Sequence, residues 1–284
     1  MGDFNVFHHM PWASTYSIYF FVIGISAALY FMSTLSWFSE TFQPIRKSAF
    51  YMSFLLLVVG GLLLIADLSQ PSRFFNVLNP AYLNFTSPLA WGALNLMSFG
   101  LVSVLYFLTL HGESRIGKLF GIVGSLLALG LPVYTGFDLT VHQNRPVWNT
   151  QIMPVLFVAL SLVTGAAVAS FFAKGEELLL SQLRSIMLWS AGAVAVMLVS
   201  LLGTTAYGGV GQELTFMYLT TGTLGVVFVG IGIVLGLVLP MALLLAPSGR
   251  NQTGVMSAAL LLLVGGMALR YSILIGGQIV QTYF

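Results

Sequence analysis

The chain has 284 residues, of which 58% are hydrophobic and only 6% are charged, and its formal net charge is +2. A soluble domain carries about 25% charged residues, so the composition excludes a water-soluble core, and the small net charge excludes a nucleic-acid-binding surface. The sequence contains no cysteine, which excludes disulfides, cysteine-ligated zinc and any iron–sulfur cluster held by this chain. We therefore predict an integral membrane protein surrounded by lipid.

Long charge-free segments predict transmembrane helices. A helix needs about 20 apolar residues to cross the hydrocarbon core, and the segments are continuously apolar, whereas barrel strands would alternate. We predict an all-α membrane fold, a single polytopic domain over 1–284 with helices one to four (about 14–139) and five to eight (about 151–280) forming two four-helix bundles. No basic residue precedes the first span, so a cleavable signal peptide is not expected. The spans lie at about 14–38, 49–68, 87–110, 118–139, 151–173, 184–206, 218–246 and 254–280.

The basic residues are distributed unequally between the predicted connections. One side of the membrane carries only Arg73 and Arg145. The positive-inside rule then places both termini outside the cytoplasm, in the cytoplasmic (inner) membrane of a bacterium or archaeon. The asymmetry also supports an even number of spans. The seven basic residues of the other side are Arg46, Lys47, Arg115, Lys118, Lys174, Arg184 and Arg250.

Several common membrane chemistries are excluded by the positions of the reactive residues. A b-type haem takes histidine ligands from within the spans, but the four histidines (His8, His9, His111 and His142) lie at or beyond predicted helix ends. We therefore expect neither haem nor an iron–sulfur cluster on this chain. No phosphate-binding glycine loop or paired-carboxylate hydrolytic motif is present. If electrons pass through the protein, a partner must bring them and a small mobile carrier must take them.

Polar residues collect toward the outer ends of the predicted helices. Ionisable residues within spans are costly and hence functional candidates, and here they are Asp67, Asp138 and Arg270. Tyr16 and Tyr19 are three residues apart and share a helix face, as do Tyr134 and Asp138 at a spacing of four. The same side of the membrane also carries Arg73, Asn76, Trp91, His142 and Arg145.

These polar and aromatic residues could form a quinone-binding site, although the residues alone leave other interpretations open. The ring needs aromatic or aliphatic walls, each carbonyl needs a hydrogen-bond donor, and quinol oxidation releases two protons that need acceptors. However, tyrosine and tryptophan at helix ends are commonly interfacial anchors, and Asp67 could simply pair with Arg73 or Arg270. A transporter also uses polar residues inside helices, typically near the membrane midplane.

Four motifs, in order, resemble the NrfD/PsrC family of membrane subunits of polysulfide-reductase-type molybdenum enzymes. They are GGLLLIADLSQPSRF at 60–74, SPLAWGA at 87–93, YTGFDLTVHQNRPVWN at 134–149, and the last helix from Leu269-Arg270 to Gly277-Gln278. The resemblance covers most of the chain. It implies an eight-helix anchor of a four-cluster iron–sulfur subunit and, through it, of a molybdopterin catalytic subunit, with menaquinone or ubiquinone bound near the outer surface.

The resemblance also implies roles for particular residues. Tyr134 matches a tyrosine that contacts the quinone ring, whereas Tyr16 and Tyr19 stand where relatives use an asparagine and a histidine. Because a phenol is a poor proton acceptor, proton acceptance would fall to Asp67 or His142. The other expected contributors to quinone binding or to the local field are Arg73, Asn76, Trp91, Asp138, Arg145 and Arg270.

Two alternatives to this interpretation remain from the sequence. Within the same family, the chain could be the quinone subunit of a hydrogenase or of an alternative quinol:acceptor complex. From a different class, it could be a stand-alone transporter of a small molecule or an ion. The terminal substrate, which would react on another chain, is not encoded here.

Overall fold

The computed structural model of the chain describes residues 14–280 apart from 69, 80, 82 and 113, with the side chains of 73, 77 and 78 also outside the description. This part of the chain is helical and contains no strand. Eight of its helices are long and apolar enough to cross a membrane, which confirms the predicted number of spans. The helices are α1 Ser14–Leu35, α2 Arg46–Asp67, α3 Pro88–Thr109, α4 Arg115–Thr140, α5 Ile152–Ser170, α6 Glu177–Ala206, α7 Val210–Thr220, α8 Gly222–Leu245 and α9 Gln252–Ile279.

The helix boundaries differ from the predicted ones where charged residues were taken as limits. Helix α6 begins at Glu177, about two turns before the predicted start, so that Arg184 lies inside it. An acidic residue in the first turn stabilises a helix N-terminus, which explains this early start. The short helix α7 was not predicted, because its 11 residues contain Gln212 and Glu213 and follow two glycines.

Helices α1 and α5 form the centre of the molecule. In each of them 72% of the residues in an apolar stretch of 18 residues are buried, against 28% in α2, α3 and α8. Helix α1 packs on α2, α4, α5 and α9, and it therefore contacts helices of both predicted groups. The division into two four-helix bundles stays a prediction.

Small residues permit the close approach of the central helices. The Cβ of Ala28 on α1 lies against Gly165 on α5, where an added Cβ would overlap it. One turn away, Gly24 on α1 faces Ser161 on α5 in the same manner. Small residues at such crossings are typical of membrane helices, whose association depends on close van der Waals packing.

The outside of the helix assembly is apolar, as contact with lipid tails requires. Large hydrophobic side chains such as Leu101, Leu126 and Val199 are exposed along the middle of their helices. We call the side that carries the α2–α3 connection the outer face and the opposite side the inner face. The α2–α3 connection includes a 3₁₀ segment, Pro71–Leu78, which lies over the outer ends of α2 and α3.

Candidate functional site

Five polar side chains gather at the outer ends of α1, α2 and α4. We call this set the outer cluster; its members are Tyr16, Tyr19, Asp67, Tyr134 and Asp138. Tyr16 is partly buried and lies within electrostatic range of Asp67 at the end of α2. Tyr19 is fully buried, and its hydroxyl neighbours that of Tyr134 without a hydrogen bond of normal geometry. The two pairs that helical spacing grouped in the sequence, one on α1 and one on α4, therefore lie together with Asp67 of α2.

Asp138 is the most deeply buried acid of the outer cluster. Its side chain is only 5% exposed, and it lies within electrostatic range of Tyr16, Tyr19 and Tyr134. The carboxyl Oδ2 has no hydrogen-bond partner among the described residues, and neither has the Tyr19 hydroxyl. Buried polar atoms are normally hydrogen-bonded, so each exception calls for a partner such as a water or a ligand.

The Tyr134 ring is held by a glycine on the neighbouring helix. It lies against the backbone of Gly92 on α3, where an added Cβ would overlap the ring. Gly92 belongs to the SPLAWGA motif, and α3 and α4 pack on each other along their length. The contact fixes the direction of the phenol because the ring cannot move toward α3.

Two cavities flank the outer cluster. One, of about 360 Å³, lies between α1, α2, the 3₁₀ segment and the start of α3, and Tyr16 forms part of its wall. The other, of about 400 Å³, lies between α3 and α4, and Tyr134 lines it beside Asn95. Both volumes fall in the range of small-molecule sites. The remaining walls of the first cavity are mostly apolar, with a few amide and hydroxyl groups: Leu64, Leu68, Phe74, Asn76, Leu83, Asn84, Ser87, Leu89, Ala90 and Ala93.

The connection after α4 is bound to the last helix. The Arg145 guanidinium donates from Nη1 to the Gly277 carbonyl at 2.8 Å, and the Trp148 indole donates to the Ile273 carbonyl at 2.8 Å. Carbonyls in the last turn of a helix lack intrahelical partners, and basic side chains stabilise that end. Arg145 therefore closes the end of α9, a role that its position in the sequence did not indicate.

His142 lies just beyond the end of α4, beside the Arg145 and Trp148 side chains that bind α9. Its ring meets the Trp148 ring edge-on at 5.4 Å, and its Nδ1 is 3.3 Å from the Leu139 carbonyl. Burial lowers the pKa of His142 below its ordinary value, and the neighbouring positive charge of Arg145 lowers the pKa further. The imidazole is therefore neutral at pH 7 and able to accept a proton.

Arg270 lies deeper than the outer cluster. It is fully buried and donates to the Gly266 carbonyl at 3.2 Å and to the Ser161 hydroxyl at 3.1 Å. Its guanidinium approaches Gly24, which is the middle of α1. Arg270 lies in the outer half of α9, as expected, although deeper than the outer cluster. Its suggested pairing with Asp67 is wrong, because Arg270 forms no ion pair within the described part of the chain.

The sequence matches a known family over nearly its whole length. The profile of the family described as "Polysulphide reductase, NrfD" matches residues 3–281. The chain belongs to the NrfD family. As an NrfD chain with eight apolar helices it is a multi-pass membrane protein, and the resemblance stated from the four motifs is confirmed.

Three curated relatives carry reductase names. A polysulfide reductase chain of Wolinella succinogenes is 30% identical over 98% of this chain and 97% of its own length. A tetrathionate reductase subunit of Salmonella typhimurium is 28% identical over 66% of this chain and 56% of its own. A selenate reductase subunit of Mesobacillus selenatarsenatis is 24% identical over 86% of this chain and 68% of its own.

Two further predicted residues of this NrfD chain lie near the outer cavities. Asn76 is exposed and forms part of the smaller cavity. Trp91 is 58% exposed, donates to the Phe85 carbonyl at 2.8 Å and borders the cavity at Tyr134. The side chain of Arg73 lies outside the described residues, so its pairing with Asp67 stays a prediction.

Three residues of this NrfD chain were not singled out from the sequence. Gly92 fixes the Tyr134 ring, Asn95 donates to the Leu127 carbonyl at 3.0 Å and lines a cavity, and Ser161 binds Arg270. An asparagine within an apolar span was a visible signal, because intramembrane polar groups require partners. The roles of Gly92 and Ser161 depend on helix crossings that no local pattern encodes.

Proposed function

We propose that this chain is the membrane anchor and the quinol/quinone-reactive subunit of a respiratory molybdopterin iron–sulfur oxidoreductase. The names of its relatives, which are subunits of polysulfide, tetrathionate and selenate reductases, support a place in a reductase complex. The observation that carries the quinone assignment is the outer cluster: the Tyr19 hydroxyl and Asp138 Oδ2 are buried without partners among the described residues, within electrostatic range of Tyr16 and Tyr134, which line cavities of quinone-ring size.

The residues present fit a quinone head group. Tyr19 and Tyr134 each have a phenolic hydroxyl to donate to a carbonyl oxygen, while the apolar walls of the smaller cavity suit the ring and the start of an isoprenoid tail. Menaquinone or ubiquinone, when bound, supplies the exchange of two electrons and two protons. The chain itself orients the ring and accepts or returns the protons.

Proton transfer falls to the carboxylates and the histidine. Asp67 lies within electrostatic range of Tyr16, which lines the smaller cavity, so a proton accepted by this carboxylate at the end of α2 is close to the outer face. Asp138 keeps one oxygen without a partner among the described residues and can accept a hydrogen bond from a quinol hydroxyl. His142, neutral because burial lowers its pKa, stands one turn further along the chain and is the next acceptor on the way out.

Electrons must leave through another polypeptide. The chain has no cysteine, and we assign the electron exchange to a four-cluster iron–sulfur subunit that docks on the outer face and connects to a molybdopterin catalytic subunit. The distribution of basic residues supports an outer face outside the cytoplasm, in the inner membrane. The terminal substrate then reacts on the catalytic partner.

Purification of the native complex tests this proposal. The chain, isolated under mild detergent from its own membranes, is expected to retain an iron–sulfur and a molybdenum protein, with both metals found by elemental analysis. Nickel in place of molybdenum would identify the hydrogenase alternative. A chain isolated without any metal-containing partner would contradict the proposal and favour a stand-alone transporter.

A further inference from the structure

A second polar site lies on the inner face, on the opposite side of the membrane from the outer cluster. A cavity of about 710 Å³ opens there between the start of α6 and the start of α9. Four charged side chains line it, two acidic and two basic: Glu176, Glu177, Arg184 and Arg250. In a chain with only 6% charged residues, four charges around one cavity are a strong concentration.

These charges do not neutralise one another directly. Within the described residues none of the four forms an ion pair. Arg184 donates from both Nε and Nη2 to the Leu244 carbonyl, with Nε at 2.8 Å, which anchors its guanidinium to the end of α8. The cavity therefore presents separate positive and negative groups to whatever enters it.

The depth of the cavity points to a membrane lipid. It lies where α6 begins at Glu177 and α9 begins at Gln252, which is the level of the phospholipid headgroups. Leu178 and Leu245, each 67% exposed, directly follow Glu177 and the Arg184 partner Leu244 in the chain. Basic pockets between membrane helices on the cytoplasmic side bind phospholipid headgroups, and the two leucines offer contacts for the acyl chains.

We propose that this cavity binds a zwitterionic aminophospholipid of the phosphatidylethanolamine type. The phosphodiester lies against Arg184 and Arg250, since guanidinium groups bind phosphate by charge-assisted hydrogen bonds. The primary ammonium lies against Glu176 and Glu177. The two glutamates are the reason for choosing a zwitterion, because a purely anionic headgroup would be repelled by them. The inference does not depend on the proposed quinone chemistry.

The experiment measures lipid retention by the purified full-length chain in native mass spectrometry. Phosphatidylethanolamine is expected to be retained in preference to phosphatidylglycerol, which has the phosphate without the ammonium. Arg250→Gln, which leaves the Arg184 bond to α8 intact, should weaken retention of both lipids about fivefold, or about 1 kcal/mol. The double change Glu176→Gln with Glu177→Gln should lower phosphatidylethanolamine to the level of phosphatidylglycerol.

Matched controls are available on the same face. Arg115→Gln and Glu40→Gln remove exposed charges that do not line the cavity, and both should retain phosphatidylethanolamine as the unmodified chain does. Equal retention of the two lipids by the unmodified chain would overturn the zwitterion assignment. Displacement of the lipid by millimolar inorganic phosphate, or retention of a partner peptide in its place, would overturn the lipid assignment.

Discussion

The ring of Tyr134 lies against the backbone of Gly92, where α4 packs on α3 near the outer face. An added Cβ at Gly92 would overlap the ring, whereas Gly100, two turns further along the same helix, has open space in front of it. The lack of a side chain at Gly92 therefore determines the position of the Tyr134 phenol in the outer cluster. The position of this phenol is central to the proposed quinone site, since Tyr134 also lines the cavity between α3 and α4.

Gly92→Ala is expected to lower quinol-dependent turnover of the complex at least tenfold, because a misplacement of about 1 Å can cost about a hundredfold in rate. Turnover with an artificial reductant that feeds the partner subunits directly should not change. Gly100→Ala is the matched control on the same helix and should behave as the unmodified protein in both assays. Equal quinol-dependent rates for the two variants would show that the Tyr134 position is irrelevant to the reaction.

Asp67→Asn should impair quinol oxidation while the complex stays assembled. Asparagine keeps the size and the polar character of the side chain beside Tyr16, but it can no longer take up a proton, a loss that typically costs about 10² to 10⁴ in rate. Steady-state quinol oxidation, with the iron and molybdenum content as the measure of assembly, checks this expectation. Glu213→Gln, an exposed change on α7, is the control. Full turnover by Asp67→Asn would remove Asp67 from the mechanism.

His142 should make the protein less stable on acidification. Burial lowers its pKa in the folded chain, so between the ordinary pKa and this lower value the unfolded chain binds a proton that the folded chain does not. Stability is then fully present above the ordinary pKa of about 6.5 and decreases as the pH falls toward the folded pKa.

Thermal unfolding midpoints at pH 7.5, 6.5 and 5.5 measure this dependence. His142→Gln should lose less stability over this range than the unmodified chain. His111→Gln, at an exposed histidine on the inner face, should keep the original dependence. Identical pH profiles for the unmodified chain and His142→Gln would contradict the assignment of a buried neutral imidazole.

Arg270→Met should unfold at the same temperature as the unmodified chain or at a higher one. The guanidinium is fully buried without an ion pair among the described residues, and its Nε has no partner there. Replacing buried charges by apolar side chains of similar volume is often neutral or stabilising, and Ser161 keeps its bond to the Phe157 carbonyl at 2.7 Å. A fall of several degrees in the unfolding midpoint would show that Arg270 is required for packing.

The sequence predicts the spans well because the bilayer imposes a strong requirement on length and polarity. It predicts boundaries less well: Arg184 seemed to mark the start of a helix, but it lies two turns inside α6 and binds the Leu244 carbonyl. A long side chain can reach a polar partner on a neighbouring helix, so a charge does not have to mark the end of a span.

The outer cluster could be predicted in part from helical spacing. The pairs Tyr16/Tyr19 and Tyr134/Asp138 share faces as expected, because three or four residues bring side chains to one side of a helix. The partners of Arg270 could not be predicted, since they depend on the approach of Ser161 and Gly24 from two other helices. The capping of α9 by Arg145 likewise joins residues 132 positions apart.

Photo-crosslinking with an azido-quinone tests the central claim most directly, because it reports where a quinone binds rather than whether a variant is active. On the purified complex, we predict that label displaced by excess natural quinone lies in the peptides around the outer cluster: the first turns of α1, the end of α2, the segment Pro71–Leu78, the start of α3 and the last turns of α4. Displaceable label confined to the inner face or to α6 and α8 would contradict the proposed site.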